Sequence, residues 1–257
     1  LIPIYWILIR SFMFEPDIYH WPPYFFPVRP TLGNYWQIFY GTDYDLPILR
    51  WTFNSAFVAF SRIGLELTIA SLAAYGFARL EFPGRDKIFF VILTTMMIPG
   101  QVTLVPMYLQ IARYGWIDTF HALIWPGAAS VFPVFMLRQF FAQIPDELWD
   151  AARIDGAGHL RFFIQVVLHL SRASIMTVTI FAFIGSWNAL LWPLIATKAG
   201  SDWWPISVGL QNFVTEAGPQ THLWMAAASI SMLPVLILYF LAQRQFIEGI
   251  ATTGLKG

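Results

Sequence analysis

Apolar runs at residues 51–80, 87–111, 119–141, 170–196 and 224–243 limit what this chain can fold into. A helix that crosses a bilayer needs roughly 20 such residues, and inside lipid it satisfies its own backbone groups. The runs therefore predict about five spanning helices. A shorter apolar fragment at 1–13 lacks the length to span, and it has neither the basic flank nor the cleavage site of a signal peptide. It reads as a truncated first helix, which brings the expectation to about six spans.

Composition agrees with this reading. Only 12% of the 257 residues are charged and 57% are hydrophobic, whereas soluble domains carry about 25% charged residues. The predicted class is an all-α, polytopic integral membrane protein. A formal net charge of +0 gives no support to a nucleic-acid partner, and the absence of cysteine excludes disulfides and thiolate chemistry. Membrane lipid is the partner that composition alone implies.

Short connections set the orientation. Arg79, Arg85 and Lys87 lie in one turn, Arg138, Arg153, Arg161 and Arg172 around a second, and Arg244 and Lys256 near the end. Intervening connections carry Arg113 and Lys198, apart from Arg29 and Arg50 in the long early segment. The basic side is expected to face the cytoplasm. The chain then divides into the truncated helix at 1–13, an extracytoplasmic loop at 14–50 and helices two to four at 51–143. A cytoplasmic polar block at 144–160, helices five and six at 161–250 and a cytoplasmic tail at 251–257 complete it. Proline enters several spans, at Pro99, Pro106, Pro126, Pro133, Pro193 and Pro234. Either these bend helices that line a cavity, or they are the ordinary proline content of membrane helices.

The block at 144–158 is a polar island. Pro145 and Asp146 suit a helix start, and Asp146, Glu147 and Asp150 place negative charge near its positive end. Leu148, Ala151, Ala152 and Ile154 offer one narrow apolar face, and Gly156 supplies a left-handed stop. So short a helix is marginal alone. Either a partner's groove holds it, with Ala151 and Ala152 admitting close approach, or the block is an ordinary surface loop.

This block resembles the "EAA" loop of bacterial ABC importer permeases, in which Glu-Ala-Ala is followed by Gly and then by Ile-x-Leu-Pro. Here Asp150-Ala151-Ala152 is followed at that spacing by Gly156, then by Val166 and Leu168-His169. The departures are Asp for Glu, Val for Ile and His for Pro; the last restores a backbone N–H where the family breaks its helix. Further matching pieces are Asn54-Ser55, Ala73-Ala-Tyr-Gly-Phe-Ala-Arg79, Phe82-Pro-Gly-Arg85, Met97-Ile-Pro-Gly-Gln101, Arg138-Gln-Phe-Phe141, Trp187-Asn188, Trp192-Pro-Leu194 and Leu255-Lys-Gly257. The likeness spans nearly the whole chain and is closest to the second permease subunit of carbohydrate importers.

The resemblance implies a single permease domain over 1–257 with the type I ABC importer fold, in a bacterial or archaeal plasma membrane. It implies that Asp150, Ala151, Ala152, Arg153, Asp155 and Gly156 form a coupling helix seated on an ATPase. It also implies a tail contact with that ATPase through Gly254, Lys256 and Gly257, although the run at 250–253 departs from the family ending. The implied partners are a homologous second permease subunit, two nucleotide-binding ATPase subunits and an extracytoplasmic sugar-binding protein. The implied cargo is a di- or oligosaccharide, or alternatively another solute such as a glycerol-phosphate ester.

Other residues admit two readings. Arg62 and Glu66 lie four apart inside a span, where charges are costly and often functional; they line a translocation path or form a helix-packing ion pair. Asn188, expected within a span, either bonds a neighbouring helix or faces a cavity. The connection at 197–223 carries Trp203, Trp204, Gln211, Asn212, Glu216 and Gln220, which suit either contact with a binding protein or an interfacial aromatic belt. The chain has no Gly-x-x-x-x-Gly-Lys-Ser/Thr loop, no His-Glu-x-x-His and no Gly-x-Ser-x-Gly, and its five His residues lack metal-ligand spacing. No cofactor, metal or catalytic residue is therefore expected in the chain, and ATP with magnesium is expected on the partner ATPase. A secondary transporter driven by an ion gradient is the rival reading.

Overall fold

A computed structural model describes residues 2–41, 47–216 and 220–254, with side chains described outside 212–219 and 242–257. Among the described residues there is helix and no strand. Among the described residues two helices are long and apolar enough to cross a membrane unbroken, over Ile48–Arg79 and Thr221–Leu241. Three further pairs reach that length only as bent spans.

The order begins with α1 (Ile2–Arg10), α2 (Glu15–Ile18) and α3 (Gly33–Tyr40). The segment expected as a loop at 14–50 thus contains two short helices and enters α4 (Ile48–Arg79) before its end. The run at 87–111 is not one rod. It divides into α5 (Arg85–Met97) and α6 (Gly100–Arg113), which meet at 97°. Ile98 and Pro99 adopt extended ψ angles of 117° and 132° between them, which ends the hydrogen-bonded ladder. The next run becomes α7 (Phe120–Gly127) and α8 (Val131–Phe141), bent by 42°. Pro126 lies in the 3-10 turn that closes α7 and Pro133 in the first turn of α8, where a missing N–H costs least.

The short α9 (Asp146–Ile154) precedes α10 (His159–Leu170) and α11 (Arg172–Trp187), which meet at 79°. The run expected at 170–196 is therefore divided twice, once at Ser171 and again after Trp187, before α12 (Leu191–Ala196). His169 stands where the related motif carries proline, yet the bend persists two residues later. A π-helical turn at Phe163–Val167 and the non-helical ψ of 16° at Ser171 supply the break without a ring. His169 accepts a 2.9 Å hydrogen bond from Arg172 across it. The connection at 197–223 holds α13 (Ile206–Glu216), and α14 (Thr221–Gly254) closes the chain.

The chain forms two compact units. One comprises Leu1–Val58 and Trp187–Leu241. In it the buried Asn34 amide donates to the carbonyls of Ser11 and Met13, fixing α3 against the chain that leaves α1. Asn54 donates to the carbonyls of Asp202 and Trp204, and Ser55 Oγ accepts the N–H of Ile206 at 2.8 Å. That last bond satisfies one of the free donors at the start of α13.

The other unit comprises Ala59–Ser186 and Ala242–Gly257. Its core gathers Ala70, Ala74 and Tyr75 of α4 with Phe89, Leu137, Phe141, Phe162, Phe163 and Val167. The alanines let neighbouring helices approach closely, the usual way helices associate when lipid supplies no hydrophobic drive. Arg138 lies over the Phe89 ring at 4.2 Å and donates to the carbonyl of Phe77, so this charge is spent inside the unit.

Candidate functional site

Local sequence builds α9. Pro145 occupies the position before the helix with ψ 140°, Asp146 and Glu147 fill the first turn, and Arg153 lies in the last. This arrangement matches the helix dipole at both ends. At the C-terminus Gly156 takes φ 76°; its N–H bonds to the Arg153 carbonyl, and the Ala157 N–H reaches the Ala152 carbonyl at 2.8 Å. That pair of bonds is a Schellman stop, and it needs a residue tolerant of the left-handed region.

No residue of α9 is buried. The single apolar face expected from the sequence is divided in two. Trp149 and Ala152, three apart, pack inward on the core of their unit. Leu148, Ala151 and Ile154 point outward, and Ile154 is 87% exposed. Asp150, Arg153, Asp155 and Gly156 are exposed with them. Ala152 is thus a packing residue, and the outward surface is made by its neighbours. Leu148 and Ile154 leave apolar surface open on a helix that also carries Asp146, Glu147, Asp150 and Arg153, a mixture suited to contact with another protein.

Two anchors hold the inner side. Arg79, at the end of α4, is almost enclosed; its guanidinium donates to the Ile144 carbonyl at 2.9 Å and meets the Asp146 carboxylate at 3.0 Å. Trp149 stacks on the His159 ring, centroids 4.2 Å apart and planes within 19°, and meets Phe162 edge-on. His159 Nδ1 in turn lies 2.9 Å from the hydroxyl of Tyr75. A cavity of about 840 Å³ opens beside these groups, lined also by Glu81, Arg85 and Arg153. The sequence alone assigns none of the four anchoring side chains this role. A lone Trp in a charged helix is the available signal for Trp149; the others depend on where the chain returns.

The charge pair within α4 is only loosely joined. Arg62 Nε and Glu66 Oε2 are 3.9 Å apart, and Arg62 donates to the Gly127 carbonyl at 3.2 Å. Glu66 is 4% exposed, and its Oε2 has no hydrogen-bond partner among the described residues. Both side chains line a cavity of about 180 Å³ walled by Phe132 and Phe181, with Ser130 at its side. A buried carboxylate oxygen held only by a 3.9 Å ion contact is costly unless a hydrogen bond completes it.

The remaining candidates separate. Asn188 is not inside a helix; it is exposed in the turn after Trp187. Trp204 is 7% exposed, donates to the Lys198 carbonyl and lies 6.2 Å from Trp51, so it belongs to the interior of its unit. Trp203 remains at the surface. Gln211 is exposed and Gln220 half-buried, while the side chains of Asn212 and Glu216 lie outside the described residues. Gly254 ends α14, and Lys256 and Gly257 lie outside the described residues.

Bent apolar spans with a short polar helix exposed between them define a membrane-embedded transport subunit. The chain belongs to the family of binding-protein-dependent transport system inner membrane components, whose model matches residues 66–251. It is 34% identical to the sn-glycerol-3-phosphate transport system permease protein UgpE of Agrobacterium fabrum, over 98% of this chain and 90% of that protein. It is 31% identical to the arabinooligosaccharides transport system permease protein AraQ of Halalkalibacterium halodurans, over 91% of this chain and 82% of that protein. Its fold is shared with a chain of a bacterial ABC transporter involved in the import of the acidic polysaccharide alginate. The TM-score there is 0.84 at 22% identity, over 94% of this chain and 89% of the other. Family and apolar helices together make it a multi-pass protein of the inner membrane.

Proposed function

We propose that this chain forms half of the translocation pathway of an ATP-driven, binding-protein-dependent importer whose cargo is a di- or oligosaccharide. A homologous second permease supplies the other half, and two ATPase subunits sit on the cytoplasmic side. An extracytoplasmic sugar-binding protein delivers cargo to the opposite face, where the exposed Trp203 is available to it. ATP and its magnesium are held by the ATPase subunits.

The observation that carries this reading is α9 itself, a nine-residue polar helix with an exposed Leu148–Ala151–Ile154 surface, rigidly stopped at Gly156 and standing between spans. Nucleotide-driven closure of the ATPase pair moves α9, and the attached spans switch the access of the cavity. The Arg62–Glu66 cavity is the part of the pathway this chain offers to a polar solute: Glu66 accepts a hydroxyl hydrogen, and the Phe132 and Phe181 rings cover the apolar faces.

A second reading keeps the machinery and changes the cargo to a glycerol-phosphate ester. The identity to UgpE favours it directly. Co-purification of the chain with its partners, then ATP-dependent uptake of oligosaccharides and of sn-glycerol 3-phosphate in proteoliposomes, decides between the two. Isolation without any ATPase, or uptake driven by an ion gradient alone, would overturn both.

A further inference from the structure

We infer that Trp149, His159 and Tyr75 form a strut that makes α9 and the C-terminal end of α4 move as one body, so that α4 is the span to which the motion of α9 passes. This rests on the proposed coupling of α9 to an external ATPase and adds the route inside the membrane protein. The covalent route from α9 is not a continuous helix on either side. Gly156 and Gly158 interrupt the chain toward α10, and 142–145 is a non-helical turn toward α8. A nine-residue helix cannot hold an orientation alone, so its noncovalent anchors decide which span moves with it.

Those anchors lead to α4, one of them through the first turn of α10, which carries His159 and Phe162. The Trp149 ring is stacked on His159, and His159 is hydrogen-bonded to the buried Tyr75. Arg79 grips the Ile144 carbonyl and Asp146 just before and at the start of α9. Tyr75 and Arg79 are four residues apart on α4, which places them on one face, so α4 holds the start of α9 directly through Arg79 and the middle of α9 through His159 of α10. Glu66 lies nine residues from Tyr75 along the same helix, about 13.5 Å at 1.5 Å per residue. A displacement taken up by Tyr75 and Arg79 is therefore carried by a continuous helix to the Arg62–Glu66 cavity. Trp149, His159 and Tyr75 are positioning residues, since they need touch neither nucleotide nor cargo.

The chain has no cysteine, so two introduced cysteines can carry spin labels without background from this subunit. Glu147→Cys on α9 and Leu72→Cys on α4 are both exposed positions. Their distance distribution is measured in the complex with its ATPase, nucleotide-free and trapped with ATP and vanadate. A rigid strut predicts a narrow distribution that is the same in both states. Trp149→Ala and, separately, His159→Ala should broaden and shift it in the trapped state; Trp149→Phe, which keeps a ring to stack on His159, should restore it, whereas Trp149→Leu, which fills volume without a ring, should not. A wild-type distance that changes on trapping, or alanine variants that keep the narrow distribution in both states, would overturn the strut. A chain that isolates without an ATPase overturns the coupling reading, and the strut with it.

Discussion

Arg79 and Asp146 are joined at 3.0 Å, yet the arginine side chain is 8% exposed and the aspartate 86%. Their contributions differ accordingly. An ion pair with one partner in water is screened and gives about 0–1 kcal/mol. The bond from Arg79 to the Ile144 carbonyl is shielded, and Ile144 is itself buried. Asp146→Ala should therefore change thermal stability in detergent by less than about 0.5 kcal/mol. Arg79→Ala leaves that carbonyl unpaired and removes a packed stem, for a loss of about 1–3 kcal/mol. Equal shifts in melting temperature for the two variants would refute this ordering.

At Gly156 the backbone, not the space, is limiting. A Cβ there would meet nothing within 4 Å, but φ is 76°. Gly156→Ala should cost about 1–2 kcal/mol of local order at the end of α9, and Gly156→Asn less, because Asn tolerates the left-handed region. Gly156→Asp adds negative charge at the negative end of a helix dipole. It should leave membrane insertion intact while releasing or uncoupling the ATPase. ATPase co-purification and binding-protein-dependent stimulation measure this, and normal uptake by the Asp variant would remove α9 from the coupling route.

The glycine stop and the start at Pro145 were legible in the sequence because capping is local chemistry. So were the unbroken spans: the run at 51–80 is Ile48–Arg79, and that at 224–243 falls within α14. Apolar length, however, carries no angle. Pro99 announces an interruption, but whether a span kinks or turns by 97° depends on Ile98 and Pro99 both leaving helical geometry. The inner face of α9 was illegible for another reason. Trp149 meets His159 only because the Schellman turn reverses the chain between them, and Tyr75 is 84 residues away. The missing hydrogen bond of Glu66 Oε2 is likewise a property of packing, which no four-residue spacing discloses.

Glu66 gives a direct test of the cavity. If its carboxylate accepts a cargo hydroxyl, Glu66→Gln retains an acceptor and should keep a substantial part of the uptake. Glu66→Leu should lower ATP-dependent uptake about tenfold or more, corresponding to roughly 1.4 kcal/mol or more, with insertion and assembly unchanged. A helix-packing ion pair predicts the opposite pattern. Removing the poorly solvated carboxylate would then alter stability and leave uptake per assembled complex at the wild-type level. Uptake normalised to co-purified complex separates the two.

The other unit is closed by a near-contact that a single methyl should disrupt. A Cβ on Gly209 of α13 would overlap the Trp51 ring, which no packing allows. The indole is 5% exposed and flanked by Trp204, so it has little room to retreat. Gly209→Ala should destabilise the protein by about 1–3 kcal/mol through overpacking. Trp51→Leu leaves a void and is destabilising alone, but it vacates the volume the new methyl needs. The double variant should then be more stable than the sum of the single losses predicts, by about 0.5 kcal/mol or more. Melting temperatures of the four proteins in one detergent test this, and strict additivity would mean that the approach of Trp51 to Gly209 does not constrain α13.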